Sequence, residues 1–470
     1  MNRDFQKSRA LDINRICHDP KIMDLVKEVR TTLFQEDRGE SIDKVLPMLL
    51  SELQLAWLED PDSCLGLYMS QRFYKLNRYN SLKISHKVIQ VVRTLAELGW
   101  IGLQKGQQST IDEQPGRTTR IWANQPLINL FNKYPVALES FGLDAKTETI
   151  ILRDSDKKEI EYEDTPETIR MRSVLTDYNR LLDRSFIDIP ELDCPVIEQM
   201  NGETIRIGSY QKTVVRIFSN SSFAEHGRFY RAWWHSLPSK WRQKIHINDA
   251  PVMEDDFSSM LPTLMYAEKN HRLKKDAYSF SLAGDNPFGR KELKTIVLIA
   301  INADDEGSAI KAIRKNLRDG TNLSFTDKHI KDAINAFRSE HPLISDQLCS
   351  GIGIKLMKRD SDIAEKVIER FTKEDTPVLS IHDSFIVPWD KEKELRTFME
   401  QAFEEVTGVL PFDIKSEGID WRHKIKEGLS SPTFINPNQR HYLLNAERAF
   451  QSEGYKQRRT KFYNKLRTKS

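Results

Sequence analysis

The spacing of apolar and polar positions along the chain indicates where helices end and strands begin. Apolar residues recur at helical spacing in 19–27 and 42–50, which predicts polar-rich helices over residues 1 to about 75. A longer helix is predicted to begin at Thr165, a suitable cap, with Pro166 in its first turn. We expect this helix to serve as a strut between domains.

The segment 85–123 combines a helix with a pair of strands. Its helix is predicted to start at Ser85, to end at Gly99, and to bury one face that carries Val88, Val91, Val92, Leu95 and Leu98. Strands are predicted over 100–106 and 117–123, with Pro115-Gly116 in the loop between them. This order of helix, glycine turn and β-ribbon resembles a winged helix.

The winged-helix resemblance implies contact with DNA through the helix near 83–93 and through the ribbon. The ribbon cations that would make this contact are Lys105, Arg117 and Arg120. Winged helices also serve as protein-interaction modules, and then these charges would simply be solvated. Both interpretations stay open.

Two aspartates occur where β-prone runs end. The runs 378–381 and 385–387 predict a β-hairpin with Asp383 at its tip, and Asp256 ends another predicted strand before a turn and a helix. Aspartate is disfavoured in strands and near a core, so a divalent cation is the natural compensation. Carboxylates from adjacent strands are a rigid way to hold two metal ions for phosphoryl transfer. The alternative is that each aspartate only forms a turn or a cap.

Between these aspartates, residues 287–302 read as one largely apolar helix. Four side chains spaced four apart share one stripe, namely Arg290, Lys294, Leu298 and Asn302. A nucleoside triphosphate lying along this stripe would meet the two cations first, and Leu298 and Asn302 near its sugar and base. Otherwise the helix is buried and its cations only extend to solvent.

Composition excludes several classes of protein. The chain has 470 residues and a net charge of only +2, so any nucleic-acid binding must come from local basic surfaces. The scattered cysteines lack the spacing of a zinc site or a disulfide framework, which predicts a reduced, cytoplasmic setting. No segment approaches the ~20 apolar residues of a membrane span, so we expect neither membrane insertion nor secretion.

Asp256-Phe-Ser, the Arg290/Lys294/Asn302 helix and His382-Asp383-Ser384 occur in the order of polymerase motifs A, B and C. In this the chain resembles family A DNA polymerases and single-subunit phage-type RNA polymerases over about 215–425. The resemblance implies an α+β fold with a right-hand palm and fingers. It also implies two Mg²⁺ ions, or Mn²⁺ in their place, on Asp256 and Asp383. Arg290 and Lys294 would bind the triphosphate, and Lys294 is also the candidate acid that protonates pyrophosphate.

Flanking residues extend the resemblance. Arg228, in a Gly-Arg pair ahead of motif A, is implied to touch the template–primer backbone, and His382 to position the backbone or the primer end. Arg216 and the segment 233–242 combine cations with tryptophans. Such a set either stacks bases and holds phosphates or fills the core.

Departures from the family pattern affect the choice of substrate. Asn302 stands where family members carry tyrosine, and its role is open. Leu261 is bulky enough to hinder a ribose 2′-hydroxyl, so deoxynucleotides are expected. The N-terminal half shows no acidic clusters of a proofreading exonuclease.

We therefore expect an α+β protein with a mainly helical, winged-helix-like region at 1–145, a thumb-like connector at 146–215, palm and fingers at 216–427, and a basic tail at 428–470. From residue 454 onward this tail has no acid, so it would be solvated or hold phosphate. The predicted function is a DNA polymerase without proofreading that acts on DNA template–primer and dNTPs, away from membranes. The alternatives are an RNA polymerase or primase on the same palm, with RNA as a partner, and a non-catalytic DNA-binding replication initiator.

Overall fold

A computed structural model describes residues 5, 8–35, 39–107, 116–199, 204–282, 284–321, 323–417 and 451–469. The protein is a mixed α+β structure, as predicted. It divides into two compact units. Unit 1 comprises Met1–Thr149, Cys194–Thr213 and Glu453–Ser470, and unit 2 comprises Ile150–Asp193 and Val214–Ser452.

The helices in chain order are α1 (Lys21–Leu33), α2 (Glu40–Glu59), α3 (Lys87–Glu97), α4 (Gln125–Lys133), α5 (Pro166–Asp183), α6 (Ser239–Arg242), α7 (Met260–Glu268), α8 (Arg290–Asn302), α9 (Glu306–Gly320), α10 (Asp327–Glu340), α11 (Gly353–Lys373), α12 (Glu392–Thr407) and α13 (Glu453–Lys469). The strands are β1 (Ser8–Ala10), β2 (Arg15–Cys17), β3 (Cys64–Leu67), β4 (Ile101–Gln104), β5 (Thr119–Ala123), β6 (Phe141–Leu143), β7 (Ile150–Leu152), β8 (Ile187–Asp188), β9 (Val196–Glu198), β10 (Thr204–Arg206), β11 (Val215–Ser219), β12 (Ser222–Tyr230), β13 (His246–Ile247), β14 (Ala250–Phe257), β15 (Leu379–Ile381), β16 (Ser384–Pro388) and β17 (Ile414–Glu417).

Unit 1 is built on a four-stranded sheet in the order β1-β3-β5-β4. Helix α2 runs through its core and buries nearly every residue from Leu46 to Ala56. The amphipathic helices predicted near the start are α1 and α2, but the short strands β1 to β3 were missed because three or four residues carry too little periodicity.

Helix α3 differs in detail from its prediction. The face with Val88, Val91, Val92 and Leu95 is buried, whereas Leu98 lies beyond the helix and is exposed. The residue directly before the helix is His86, and the predicted cap Ser85 accepts through its hydroxyl oxygen from the Lys87 amide at 3.4 Å. Gly99 has a positive φ of 76°, which suits the predicted glycine turn.

Unit 2 is built on a sheet in the order β15-β16-β14-β13-β8, with β17 paired to β14. Helices α7, α11 and α12 pack together beside it, and α11 also packs against β12. The elements predicted around the two aspartates are present: strand β14 before α7, the β15–β16 hairpin, and helix α8.

The division into units differs from two of the predicted domain boundaries. The connector 146–215 is divided between the units, and α5 packs within unit 2, where the Tyr178 hydroxyl donates to the Val378 carbonyl at 2.6 Å. Its Thr165 cap is confirmed, because the Thr165 hydroxyl oxygen accepts from the Thr168 amide at 3.2 Å. Residues 453–469 are helix α13 of unit 1, with Tyr455 and Phe462 buried, rather than a solvated tail. Residues 428–450 lie outside the described residues.

Cys17, Cys64, Cys194 and Cys349 are thiols. Within the described ranges, no helix combines the length and apolar character needed to cross a membrane.

Candidate active site

The two predicted metal-binding aspartates lie on neighbouring strands of unit 2. In the antiparallel register of β14 and β16, Asp256 is opposite Ser384, the residue after Asp383. The Phe257 amide donates to the Asp383 carbonyl at 3.2 Å. Residues that are 127 positions apart in sequence are thus adjacent across two strands, as the hypothesis of a shared carboxylate site requires.

Asp383 occupies the two-residue turn between β15 and β16. The other turn residue, His382, has a φ of 57°, a left-handed conformation that is uncommon for a side chain of its size. Its ring contacts Tyr230 with centroids 5.7 Å apart. Burial, with a smaller contribution from Arg228, lowers the pKa of His382 to about 4. His382 is therefore neutral near pH 7, and any contact with a primer would be a hydrogen bond rather than a charge interaction.

Opposing effects act on the ionisation of Asp383. Burial is the largest and raises the pKa of its carboxyl, and the nearby Glu254 also raises it. Arg228 and Lys294 lower the same pKa. Helix α8 thus brings the exposed Lys294 close enough to influence this carboxylate, as the predicted stripe requires.

Glu254 is a site residue that the sequence prediction missed. It lies two residues before Asp256 and therefore on the same face of β14. Its buried carboxylate accepts from the Arg242 guanidinium at 2.8 Å and from the Ser384 hydroxyl. The alternation Glu254-x-Asp256 within a strand was the signal that would have identified it.

Asp255 points away from the site, as strand alternation predicts. Its buried carboxylate accepts from the Ser416 hydroxyl at 2.6 Å and lies 3.4 Å from the Arg396 Nε. These partners come from β17 and α12, so Asp255 joins elements of the fold. This arrangement favours Asp256 over Asp255 as the metal-ligand candidate.

Arg228 lies beside Asp383 and is held by Asp360 of α11. Its Nε and Nη2 donate to Asp360 Oδ2 at 2.9 and 2.6 Å. Burial raises the pKa of Asp360 to about 6, although Arg228 acts in the opposite direction. Asp360 had no sequence signal, because its partner is 132 residues away.

Arg290 begins α8, as predicted, but its guanidinium is occupied within the protein. Its Nε donates to Asp276 Oδ2 at 2.6 Å. Although burial acts to raise it, the pKa of Asp276 falls to about 2, mainly because Arg290 donates to the carboxylate. Asp276 also accepts from the Ser259 hydroxyl at 3.2 Å, which joins the turn after β14 to the start of α8. A triphosphate would have to compete with Asp276 for Arg290.

The remaining predicted nucleotide contacts are spread over two helices. Leu298 is half-buried on α8, and Asn302 is exposed at its end, where its amide donates to the Leu298 carbonyl at 2.7 Å. Leu261 lies in the first turn of α7 and is only 7% exposed. The roles predicted for these side chains stay predictions.

Arg216 does not lie where a nucleic acid could reach it. The side chain is fully buried, donates through Nε to the Gly227 carbonyl at 2.7 Å, and pairs with Asp362 and Glu365. The prediction of a phosphate contact by Arg216 is therefore corrected to a structural role. Trp233 and Trp234 are buried as well, which decides between the two interpretations of that segment in favour of the core.

The ribbon cations of unit 1 lie on or beside β4 and β5. Lys105 is exposed, whereas Arg117 lies 5.8 Å from the centre of the Phe5 ring. The Arg120 Nε donates to the Phe5 carbonyl at 3.3 Å. The ribbon tip, 108–115, lies outside the described residues. Of the three cations, Lys105 is the most accessible to a ligand.

The donor set at the two aspartates can be tested for its fit to Mg²⁺. Among the described residues, no group of three or more His, Cys, Asp or Glu side chains is arranged to hold a metal ion. Mg²⁺ in phosphoryl-transfer sites is usually bound by one or two carboxylates, with waters and substrate phosphates as the other ligands. Asp256 and Asp383 fit that mode, because both are hard oxygen donors on adjacent rigid strands.

Comparison with protein-family models gives no match, and comparison with curated proteins gives none either.

Proposed function

We propose that this protein is a template-directed nucleotidyltransferase, and specifically a DNA polymerase without proofreading. The observation that carries the proposal is the adjacency of Asp256 and Asp383 on β14 and the β15–β16 turn. A binding role alone does not require two carboxylates beside each other near cations.

The fold of unit 2 supports a palm. Strands β14, β16 and β17 form an antiparallel sheet with α11 and α12 packed together, and the carboxylates lie at one end of adjacent strands. Helix α8 then corresponds to the fingers helix, with its N-terminal cations toward the triphosphate. A helix N-terminus also favours the negative charge of phosphates.

Each residue has a distinct part in this proposal. Asp256 and Asp383 would hold two Mg²⁺ ions, and bound Mg²⁺ would supply Lewis-acid chemistry at the primer 3′-hydroxyl and charge neutralisation at the pyrophosphate. Lys294 neutralises the triphosphate and gives a proton to the departing pyrophosphate oxygen, a proposal supported by its electrostatic influence on Asp383. Arg228, fixed by Asp360, contacts the primer–template backbone. Catalysis rests on positioning and on charge neutralisation.

Deoxynucleotides are the preferred substrates because Leu261 is bulky and follows Asp256 by five residues. Synthesis of RNA on the same palm is the second candidate, and the choice of nucleotide in the assay separates the two. Cytoplasmic location stays a prediction from cysteine usage.

Unit 1 is proposed to recruit nucleic acid through a winged-helix-like module. Helix α3 precedes the β4–β5 ribbon, and β3 pairs with β5 in the order β3-β5-β4. This order of helix and ribbon is the support for the assignment.

Primer extension tests the proposed function. The wild-type protein is expected to extend a DNA primer on a DNA template with Mg²⁺ and dNTPs, and to use NTPs much less well. Asp383→Asn should lower extension by about 10³-fold or more, because a metal ligand is lost. Extension by Asp383→Asn at the wild-type rate would rule out the assignment. Failure with every nucleotide would favour the non-catalytic initiator.

Lys294 has a matched control on its own helix. Lys294→Ala is expected to lower kcat/KM for dNTP by about 10- to 100-fold, because one charge on the triphosphate is no longer compensated. Lys291→Ala removes an exposed lysine three residues earlier on α8 and should have little effect. Equal losses in the two variants would mean that Lys294 contributes only to the overall positive charge of α8 and makes no specific contact with the triphosphate.

A further inference from the structure

One segment of unit 1 carries charge of a single sign. From Ser63 to Ala96 the sequence contains no Asp or Glu, while it contains Arg72, Lys75, Arg78, Lys83, Lys87 and Arg93. Arg78 pairs with Glu148 at 3.4 Å. For the other five cations, the described residues provide no carboxylate within ion-pair distance. A local excess of unpaired cations attracts a polyanion.

Two exposed aromatic side chains lie in the same segment. Tyr68 and Phe73 are 51% and 41% exposed, and their rings stack with centroids 3.8 Å apart and an interplanar angle of 11°. The Arg72 guanidinium lies 5.0 Å from the centre of the Phe73 ring. Large exposed aromatic rings are costly in water and usually mark a binding site.

A groove lies between α3 and the segment that joins Tyr68 to Phe73. It has a volume of about 410 Å³ and is lined by Met69, Gln71, His86, Lys87, Ile89, Gln90 and Arg93. One wall is the segment between Tyr68 and Phe73, and the other is the first half of α3. Glutamine amides beside cations can bond to base edges and phosphates together.

The segment that carries Tyr68 and Phe73 is held in place by buried polar contacts. The Tyr74 hydroxyl donates to the Tyr68 carbonyl at 2.7 Å, which fixes the two ends of this short segment. The buried Asn80 amide donates to the carbonyls of Lys75 and Ile84 at 2.9 and 2.8 Å. The surface is thus shaped before any ligand arrives, which lowers the entropy cost of binding.

We propose that this groove, with Met69 and Gln71 on one side and the first half of α3 on the other, binds single-stranded nucleic acid together with the exposed Tyr68 and Phe73 that flank Met69 and Gln71 in sequence. Unpaired bases expose ring faces that stack on aromatic side chains, while cations follow the phosphates. Bases in a duplex are already stacked on their neighbours, so Tyr68 and Phe73 would have no base face to contact. The site lies within unit 1, and the proposal does not depend on the catalytic role of unit 2.

Fluorescence anisotropy with the full chain tests the proposal. The probes are a labelled 12-nucleotide DNA strand and a blunt duplex of the same sequence, both in EDTA so that catalysis plays no part. Tyr68→Ala and Phe73→Ala should each weaken single-strand binding by about 5- to 100-fold, with little change for the duplex. Phe73→Trp should retain binding. Met23→Ala, which removes another exposed apolar side chain of unit 1, is the control.

The cations have a separate readout. Arg93→Ala should reduce the slope of log affinity against log salt by about 0.7 for a single strand, because one phosphate contact is lost. Lys27→Ala, an exposed lysine of α1, should leave the slope unchanged. Ultraviolet crosslinking of a strand containing 5-iododeoxyuridine should map to the peptide with Tyr68 and Phe73.

Three results would overturn the proposal. Equal losses for strand and duplex would assign the groove to duplex DNA. Unchanged affinities in Tyr68→Ala, Phe73→Ala and Arg93→Ala would leave a protein partner as the occupant. Crosslinks only within unit 2 would show that the strand binds elsewhere. Primer extension that fails in the wild type would not change any of these outcomes.

Discussion

Two groups of charged side chains in unit 2 balance their charge differently. In the Arg216 cluster, the guanidinium is fully buried and its donors go to Gly227, Asp362 and Glu365. Glu365 also pairs with Arg170. Charges in this cluster are matched by other protein groups, so its role is to hold α11 against β11 and α5.

In the aspartate site, by contrast, burial disfavours the ionised form of Asp383. A nearby cation, Lys294, is exposed on α8. A charge that is itself fully buried and compensated by protein partners, as in Arg216, is structural. A carboxylate whose pKa is raised by burial, with an accessible cation nearby, is suited to reversible binding of a charged ligand. The contrast separates stability from function, and each prediction below tests one side of it.

The largest effect is expected at Asp256, with its chain neighbour as control. Asp256→Asn should lower nucleotide incorporation by about 10³-fold or more, since a metal ligand becomes a weaker neutral donor. Asp255→Asn should keep incorporation within about 10-fold while it lowers thermal stability, because Asp255 bonds to Ser416 and Arg396 on the opposite face. Single-turnover primer extension and thermal melting measure the two quantities.

The reverse pattern would contradict the site. If Asp255→Asn abolished incorporation and Asp256→Asn did not, the metal ligands would lie on the other face of β14. Asp255 would then be the functional carboxylate, and Asp256 the structural one.

Arg216 should affect stability instead of chemistry. Arg216→Met is expected to lower the free energy of unfolding by about 3 kcal/mol, because it leaves Glu365 and Asp362 without their buried partner. Urea unfolding measures this loss, and Arg318→Met, at an exposed position of α9, is the control. Incorporation per folded molecule should stay near the wild-type value. A large loss of incorporation with unchanged stability would place Arg216 with the functional residues.

The features that sequence could predict are those encoded over short distances. The hairpin around Asp383, the strand before Asp256 and helix α8 each follow from local periodicity and turn residues. The opposite directions of Asp255 and Asp256 follow from the two-residue period of a strand.

What sequence could not provide are pairings between distant segments. Arg216 and Arg228 are both arginines near apolar strands. Arg216 is buried and pairs with Glu365, whereas Arg228 bonds to Asp360 and lies beside Asp383. Nothing local distinguishes them, because each partner is on α11. The local sequence likewise does not indicate that the Arg290 guanidinium donates to the Asp276 carboxylate.

The smallest expected effect is a dependence of stability on pH, and its sign differs between two aspartates. The folded pKa of Asp360 is raised to about 6, so its contribution to stability is fully present below about pH 4 and is lost as pH rises through about 6. The folded pKa of Asp276 is lowered to about 2, so its contribution is present above about pH 4 and is lost only in stronger acid.

Urea unfolding in EDTA at pH 7 and pH 5 measures this difference. The buried His382, with its lowered pKa, decreases the free energy of unfolding from pH 7 to pH 5. The Asp360 contribution is therefore measured as the difference in free energy of unfolding between the wild type and Asp360→Asn. This difference should shift by about 1 kcal/mol in favour of the wild type over this range, because the amide does not titrate.

Asp276→Asn should keep the Asp360 contribution and be less stable than the wild type at both pH values, since Arg290 loses its carboxylate. If the stability of Asp360→Asn changed with pH as the wild type's does, the raised pKa of Asp360 would be contradicted, and the buried pair with Arg228 would then be as internally balanced as the Arg216 cluster.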